Sequence, residues 1–89
     1  MSRSLASVPW TWEVEALLDL PIDAAARRIP ATLAELTDEP EGTLLRMRVD
    51  SLDWMATVLA GLGCDFTIRR PDELRASVRT LAERLAAQV

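Results

Sequence analysis

The stretch SLDWMATVLAGLGCDFTIRRPDEL, residues 51–74, fixes more of the fold than any other part of the chain, because its elements follow one another with almost no slack. Leu52, Met55, Leu59 and Leu62 form an apolar stripe at helical spacing, widened by Val58 and Trp54, behind a cap at Asp50 or Ser51. Gly63 supplies a left-handed stop. Cys64, Phe66 and Ile68 then alternate with Asp65, Thr67 and Arg69, the period of a strand. Pro71, Asp72 and Glu73 suit the first turn of a further helix with Leu74, Val78, Leu81 and Leu85 as its apolar seam, running to about Ala87.

Upstream, Trp10, Trp12, Val14, Ala16 and Leu18 alternate with Thr11, Glu13, Glu15, Leu17 and Asp19, which predicts a half-buried strand. LPIDAAARRIP places Ile22, Ala25, Ala26 and Ile29 at helical spacing between prolines, a short helix stopped by Pro30. ATLAEL, residues 31–36, is a weak strand, and TDEPEG, residues 37–42, reads as a polar turn. In TLLRMRVD, Leu45, Met47 and Val49 alternate with Leu44, Arg46 and Arg48, so this strand completes a hairpin.

The predicted order is strand, helix, strand, strand, helix, strand, helix. This is an α+β class: a ferredoxin-like βαββαβ antiparallel sheet with an additional C-terminal helix. Right-handed crossovers put the first and third strands in the centre and the second and fourth at the edges. Residues 1–9 are expected to be an N-terminal tail and 10–89 one domain.

Eighty-nine residues support one modest core. The chain has no His and a single Cys, so it contains no Cys/His metal cluster, no Ser-His-Asp triad and no intrachain disulfide. We therefore expect no catalytic residues, no metal and no cofactor. All ten basic residues are Arg, a skew that we attribute to genomic base composition, and the net charge of −4 argues against a broad nucleic-acid-binding face. No secretory leader and no run of apolar residues long enough to span a membrane is visible, and with the lone Cys this leads us to expect a cytoplasmic location without membrane contact.

Carboxylates are the remaining acid-base groups, but Glu13 and Glu15 on a strand face and Asp38, Glu39 and Glu41 in a turn read as solvated surface. Trp10, Trp12 and Trp54 serve either core and interface packing or the wall of a ligand pocket. Arg46, Arg48, Arg69 and Arg70 are candidate anion or nucleic-acid contacts, set against a reading in which they pair with acidic residues across strands and at the helix start. The sheet face lacks the aromatic residues on which RNA-recognition domains stack bases. Leu17 and Leu44 lie on that outer face, where the last helix, another domain or another chain has to cover them. Cys64, sharing a face with Phe66 and Ile68, is read as a small buried hydrophobe.

WEVEALLDLPIDAAARRIP and GTLLRMRVDSLDWMATVLAGLGCDFTIRRPDELRASVRTLAERL are similar to the C-terminal extension that follows the WYL domain in bacterial transcriptional regulators. The resemblance runs from about Trp12 to Ala87 and is most specific in VDSLDW, AGLGCDF and RRPDELRASVRTLAERL. It implies a ferredoxin-like module of a regulator that also carries a winged helix-turn-helix and a WYL sensor domain. The module's implied roles are dimer contacts and sensing of a small-molecule or nucleic-acid effector, with DNA bound only through the other domains. The chain holds neither a helix-turn-helix nor the Trp-Tyr-Leu signature, so we expect an excised domain or a truncated product, forming a homodimer. The alternative is a stand-alone small-molecule-binding domain resembling the amino-acid-sensing domains of this topology.

Overall fold

The computed structural model describes residues 11–30 and 32–89, which leaves Trp10 and the expected tail outside the described residues. Seven elements follow in order: β1 (Trp12–Leu18), α1 (Ile22–Arg28), β2 (Glu35–Glu39), β3 (Gly42–Val49), α2 (Leu52–Ala60), β4 (Phe66–Arg70) and α3 (Asp72–Ala86). The sheet order is β2-β3-β1-β4, with each neighbouring pair antiparallel. The fold is therefore the expected α+β, ferredoxin-like arrangement with an added C-terminal helix. Its two most apolar strands are central, where both neighbours satisfy their backbone groups.

One sheet face is packed under the helices. Val14, Ala16 and Leu18 from β1, Leu45 and Val49 from β3 and Ile68 from β4 meet Ala25 of α1, Met55, Ala56 and Leu59 of α2 and Leu74 of α3. Leu18, Leu45, Met55, Leu59 and Leu74 are among the largest fully buried side chains. Burial of each such side chain contributes about 1.5–3 kcal/mol. Helix α3 packs on α2 and β4, and its seam runs from buried Leu74 through half-buried Val78 and Leu81 to exposed Leu85.

Of the two cap residues the sequence offers, Ser51 caps α2, its Oγ accepting a hydrogen bond from the Trp54 N–H at 3.1 Å. Other boundaries differ from the sequence reading, each for a local reason. Helix α2 ends at Ala60 with Gly61 as its cap, so Leu62 is buried from the following turn, and Gly63 (φ +74°) turns the chain into β4. The Arg28 Nη1 donates to the Leu62 carbonyl at 2.6 Å and ties that turn to the end of α1.

The second strand occupies Glu35–Glu39 instead of residues 31–36. An edge strand with a solvated face tolerates Thr, Asp and Glu, which is why a polar run that resembles a turn is paired. The Glu39↔Gly42 pair leaves Pro40 and Glu41 as a two-residue tip. At Gly42 (φ +149°) a Cβ would lie 2.1 Å from the Leu18 carbonyl oxygen, so the hairpin fits against the end of β1 only with glycine there. Beside it, the Thr43 hydroxyl is buried and donates to the Leu20 carbonyl at 2.8 Å.

Candidate functional site

The outer sheet face carries a row of alternating charge. Glu35 of β2, Arg46 of β3, Glu15 of β1 and Arg70 of β4 are register partners across all four strands. Arg46 lies 3.9 Å from Glu35 and 3.5 Å from Glu15, and Arg70 lies 2.5 Å from Glu15. Arg70 also reaches Glu13 at 3.4 Å, and Glu13 meets Arg48 at 3.3 Å. Strand periodicity brings these side chains to one face, and the antiparallel register sets opposite charges side by side. Arg46, Arg48 and Arg70 are thus gathered into one lattice with Glu13, Glu15 and Glu35.

Arg69 takes a different path because β4 is bulged. Ala16 pairs with Ile68 and Glu15 with Arg70, so Arg69 is the extra residue, and both arginines send their guanidinium groups to the outer face. Arg69 meets Glu39 at 3.2 Å and Glu41 at 3.9 Å, at the end of the hairpin on the opposite edge of the sheet. That ion pair spans the row in which Leu44 and Leu17 are partners. Leu44 is only 9% exposed and Leu17 half-buried. Helix α3 lies in the helix layer, so the chain itself shields these leucines without the last helix folding over them.

Of the tryptophans, Trp12 is half-buried against the core, whereas Trp54 is 48% exposed. Trp54 lines an open groove of about 740 Å³ at the end of the sheet. It is also lined by the apolar Leu33, itself 53% exposed, Met47 and Val49, and by the polar Thr11, Thr32, Arg48, Asp50 and Ser51. The groove exists because pairing between β2 and β3 stops at Glu35↔Arg46, while β3 runs on to Val49 beside β1. Sequence reasoning found Trp54 but not Leu33, Met47 or Asp50. Leu33 sits in a stretch read as strand, and only the actual start of β2 turns it into a groove wall.

Cys64 is half-buried before β4 rather than fully buried within it. Burial pushes its thiol pKa up, with the nearby Arg28 guanidinium opposing. Among the described residues no group of three or more His, Cys, Asp or Glu is arranged to hold a metal ion. No helix in the described residues is long and apolar enough to cross a membrane.

A family model, the WCX domain, matches residues 10–86, nearly the whole chain. The chain belongs to the WCX family. WCX is the C-terminal domain of WYL-containing transcriptional regulators, which agrees with the resemblance carried by VDSLDW, AGLGCDF and RRPDELRASVRTLAERL. Comparison with curated proteins and with solved structures gives no match. This WCX domain therefore presents two surfaces beyond its core: a neutralised charge lattice on the outer sheet face and an apolar groove at the sheet end.

Proposed function

We propose that this WCX domain is a non-enzymatic regulatory module of a WYL-type transcriptional regulator, contributing subunit contacts and effector sensing. The observation that carries the reading is the groove, where two exposed large hydrophobic side chains, Leu33 and Trp54, converge on one open concavity. Exposed apolar groups gathered in a concavity favour recognition. The arginines and carboxylates of the outer face neutralise one another, and a lattice of alternating sign is complementary to itself about a two-fold axis. Subunit contacts are assigned to that face and effector sensing to the groove.

Light scattering over a concentration series tests the first part: the mass should rise to that of a dimer, and Arg46→Glu should return it to the monomer. Removal of the WCX domain from a full-length regulator tests the second. A regulator that keeps its effector response without the domain, or a chain that stays monomeric at every concentration, overturns the corresponding half of the reading.

A further inference from the structure

Resting on the effector-sensing reading, we propose that the Leu33–Trp54 groove binds a small organic cation: an amine carrying an aromatic or branched apolar group. The groove's volume, about 740 Å³, lies within the ~300–1,000 Å³ typical of small-molecule sites. Its apolar wall is Leu33, Met47, Val49 and the Trp54 indole. An apolar group gains there by leaving water, and the indole face in addition attracts a cation.

The charge at the rim decides the sign of the ligand. Among the described residues, the charged groups lining the groove are Arg48 and Asp50. The Arg48 guanidinium is held by Glu13 at 3.3 Å, so its charge is matched within the sheet lattice. Asp50 has no ion-pair partner among the described residues. The nearby start of α2 does not reverse this sign, because Ser51 already caps it and Asp53 sits in its first turn. A phosphate-bearing ligand would face a carboxylate that no cation among the described residues offsets, on a chain of net charge −4. An amine instead places its charge at Asp50 and its apolar group against Trp54 and Leu33.

Isothermal titration of the 89-residue chain with phenethylamine tests the assignment. The controls are 3-phenylpropionate, which keeps the ring and reverses the charge, and methylamine, which keeps the charge without the ring. Saturable binding of phenethylamine is expected, at least about tenfold tighter than either control. Trp54→Ala and Asp50→Asn should each weaken it about tenfold or more, while Trp54→Phe keeps most of it. Circular dichroism on each variant separates loss of binding from loss of fold. No saturable binding of phenethylamine overturns the proposal, as does equal binding of 3-phenylpropionate or indifference to both substitutions. Binding of a lysine-containing peptide without binding of the free amine would assign the groove to a polypeptide and overturn it too. If phenethylamine fails while a regulator lacking the domain loses its effector response, the sensing reading stands and only the ligand class falls.

Discussion

The guanidinium of Arg69 on one edge strand meets the carboxylate of Glu39 on the opposite edge strand, 3.2 Å away, across the row that holds Leu17 and Leu44. An exposed ion pair alone is worth about 0.2–1 kcal/mol. Truncating Arg69 also removes a long aliphatic stem on the face that carries Leu17 and Leu44. Arg69→Ala should therefore cost about 1 kcal/mol, near the upper end of that range. Arg48→Ala, whose side chain is 73% exposed, should cost close to nothing. Urea unfolding of the two variants checks the difference, and equal losses would mean that the Arg69 strap shields nothing.

Gly42→Ala tests the hairpin. The new Cβ would fall 2.1 Å from the Leu18 carbonyl oxygen at a backbone φ of +149°, so both a clash and a strained conformation result. A residue held in such a conformation costs about 1–3 kcal/mol before any clash is counted. The variant should lose at least that much in denaturant unfolding, and a neutral outcome would show that the tip relaxes freely away from β1.

Ser51→Ala tests the cap beside the groove. Its Oγ accepts the Trp54 N–H, and loss of such a cap costs about 0.5–2 kcal/mol. Ser51→Asp, which keeps an acceptor, should restore most of the loss in thermal unfolding. If Ser51→Ala and Ser51→Asp melt together below the parent, the hydrogen bond is not what fixes the start of α2.

The central sheet was legible because Trp12–Ala16 and Leu45–Val49 alternate between apolar and charged residues, with Leu17 and Leu44 as exceptions, and alternation survives any tertiary context that buries one face. The edge strand was misplaced because Thr37, Asp38 and Glu39 have turn chemistry, and only pairing with β3 makes them extended. The pairing of Arg46, Arg48 and Arg70 with Glu13 and Glu15 could be anticipated from which strands are central. The path of Arg69 to Glu39 could not, since it depends on a one-residue bulge that alternation does not reveal. The groove was half legible: Trp54 is prominent in sequence, but Leu33 reaches it only because β2 starts at Glu35, and Asp50 only because β3 ends at Val49.

Cys64 gives a prediction in pH. Burial raises its thiol pKa above that of a free cysteine, with the Arg28 guanidinium opposing, so the folded chain holds the proton longer than the unfolded chain. The thiolate is the reactive form, and native Cys64 should therefore react with iodoacetamide more slowly than the denatured chain at pH 8. The midpoint of the native rate profile should lie above that of the denatured chain. By linkage, the stability contribution is fully present below the unfolded pKa and is lost as the pH rises through the folded one. Equal native and denatured rates at pH 8 would place the thiol in water.

Helix α3 is held chiefly from its first half, and two leucines on one seam separate that arrangement from a uniformly docked helix. Leu74 is fully buried in the core, whereas Leu85, three turns further on, is 54% exposed. Removing buried leucine atoms forfeits their transfer energy and leaves a cavity, about 2–5 kcal/mol. For a small domain whose total stability is about 5–15 kcal/mol, that is a large share. Leu74→Ala should lower the unfolding free energy by that amount, seen as a lower denaturant midpoint with the slope of the transition unchanged. Leu85→Ala should stay within about 0.5 kcal/mol of the parent, as surface substitutions do. A large loss at Leu85 would mean that the end of the helix is covered in solution, and repeating the measurement at tenfold lower protein concentration would show whether a second chain covers it, because such a contribution falls with dilution.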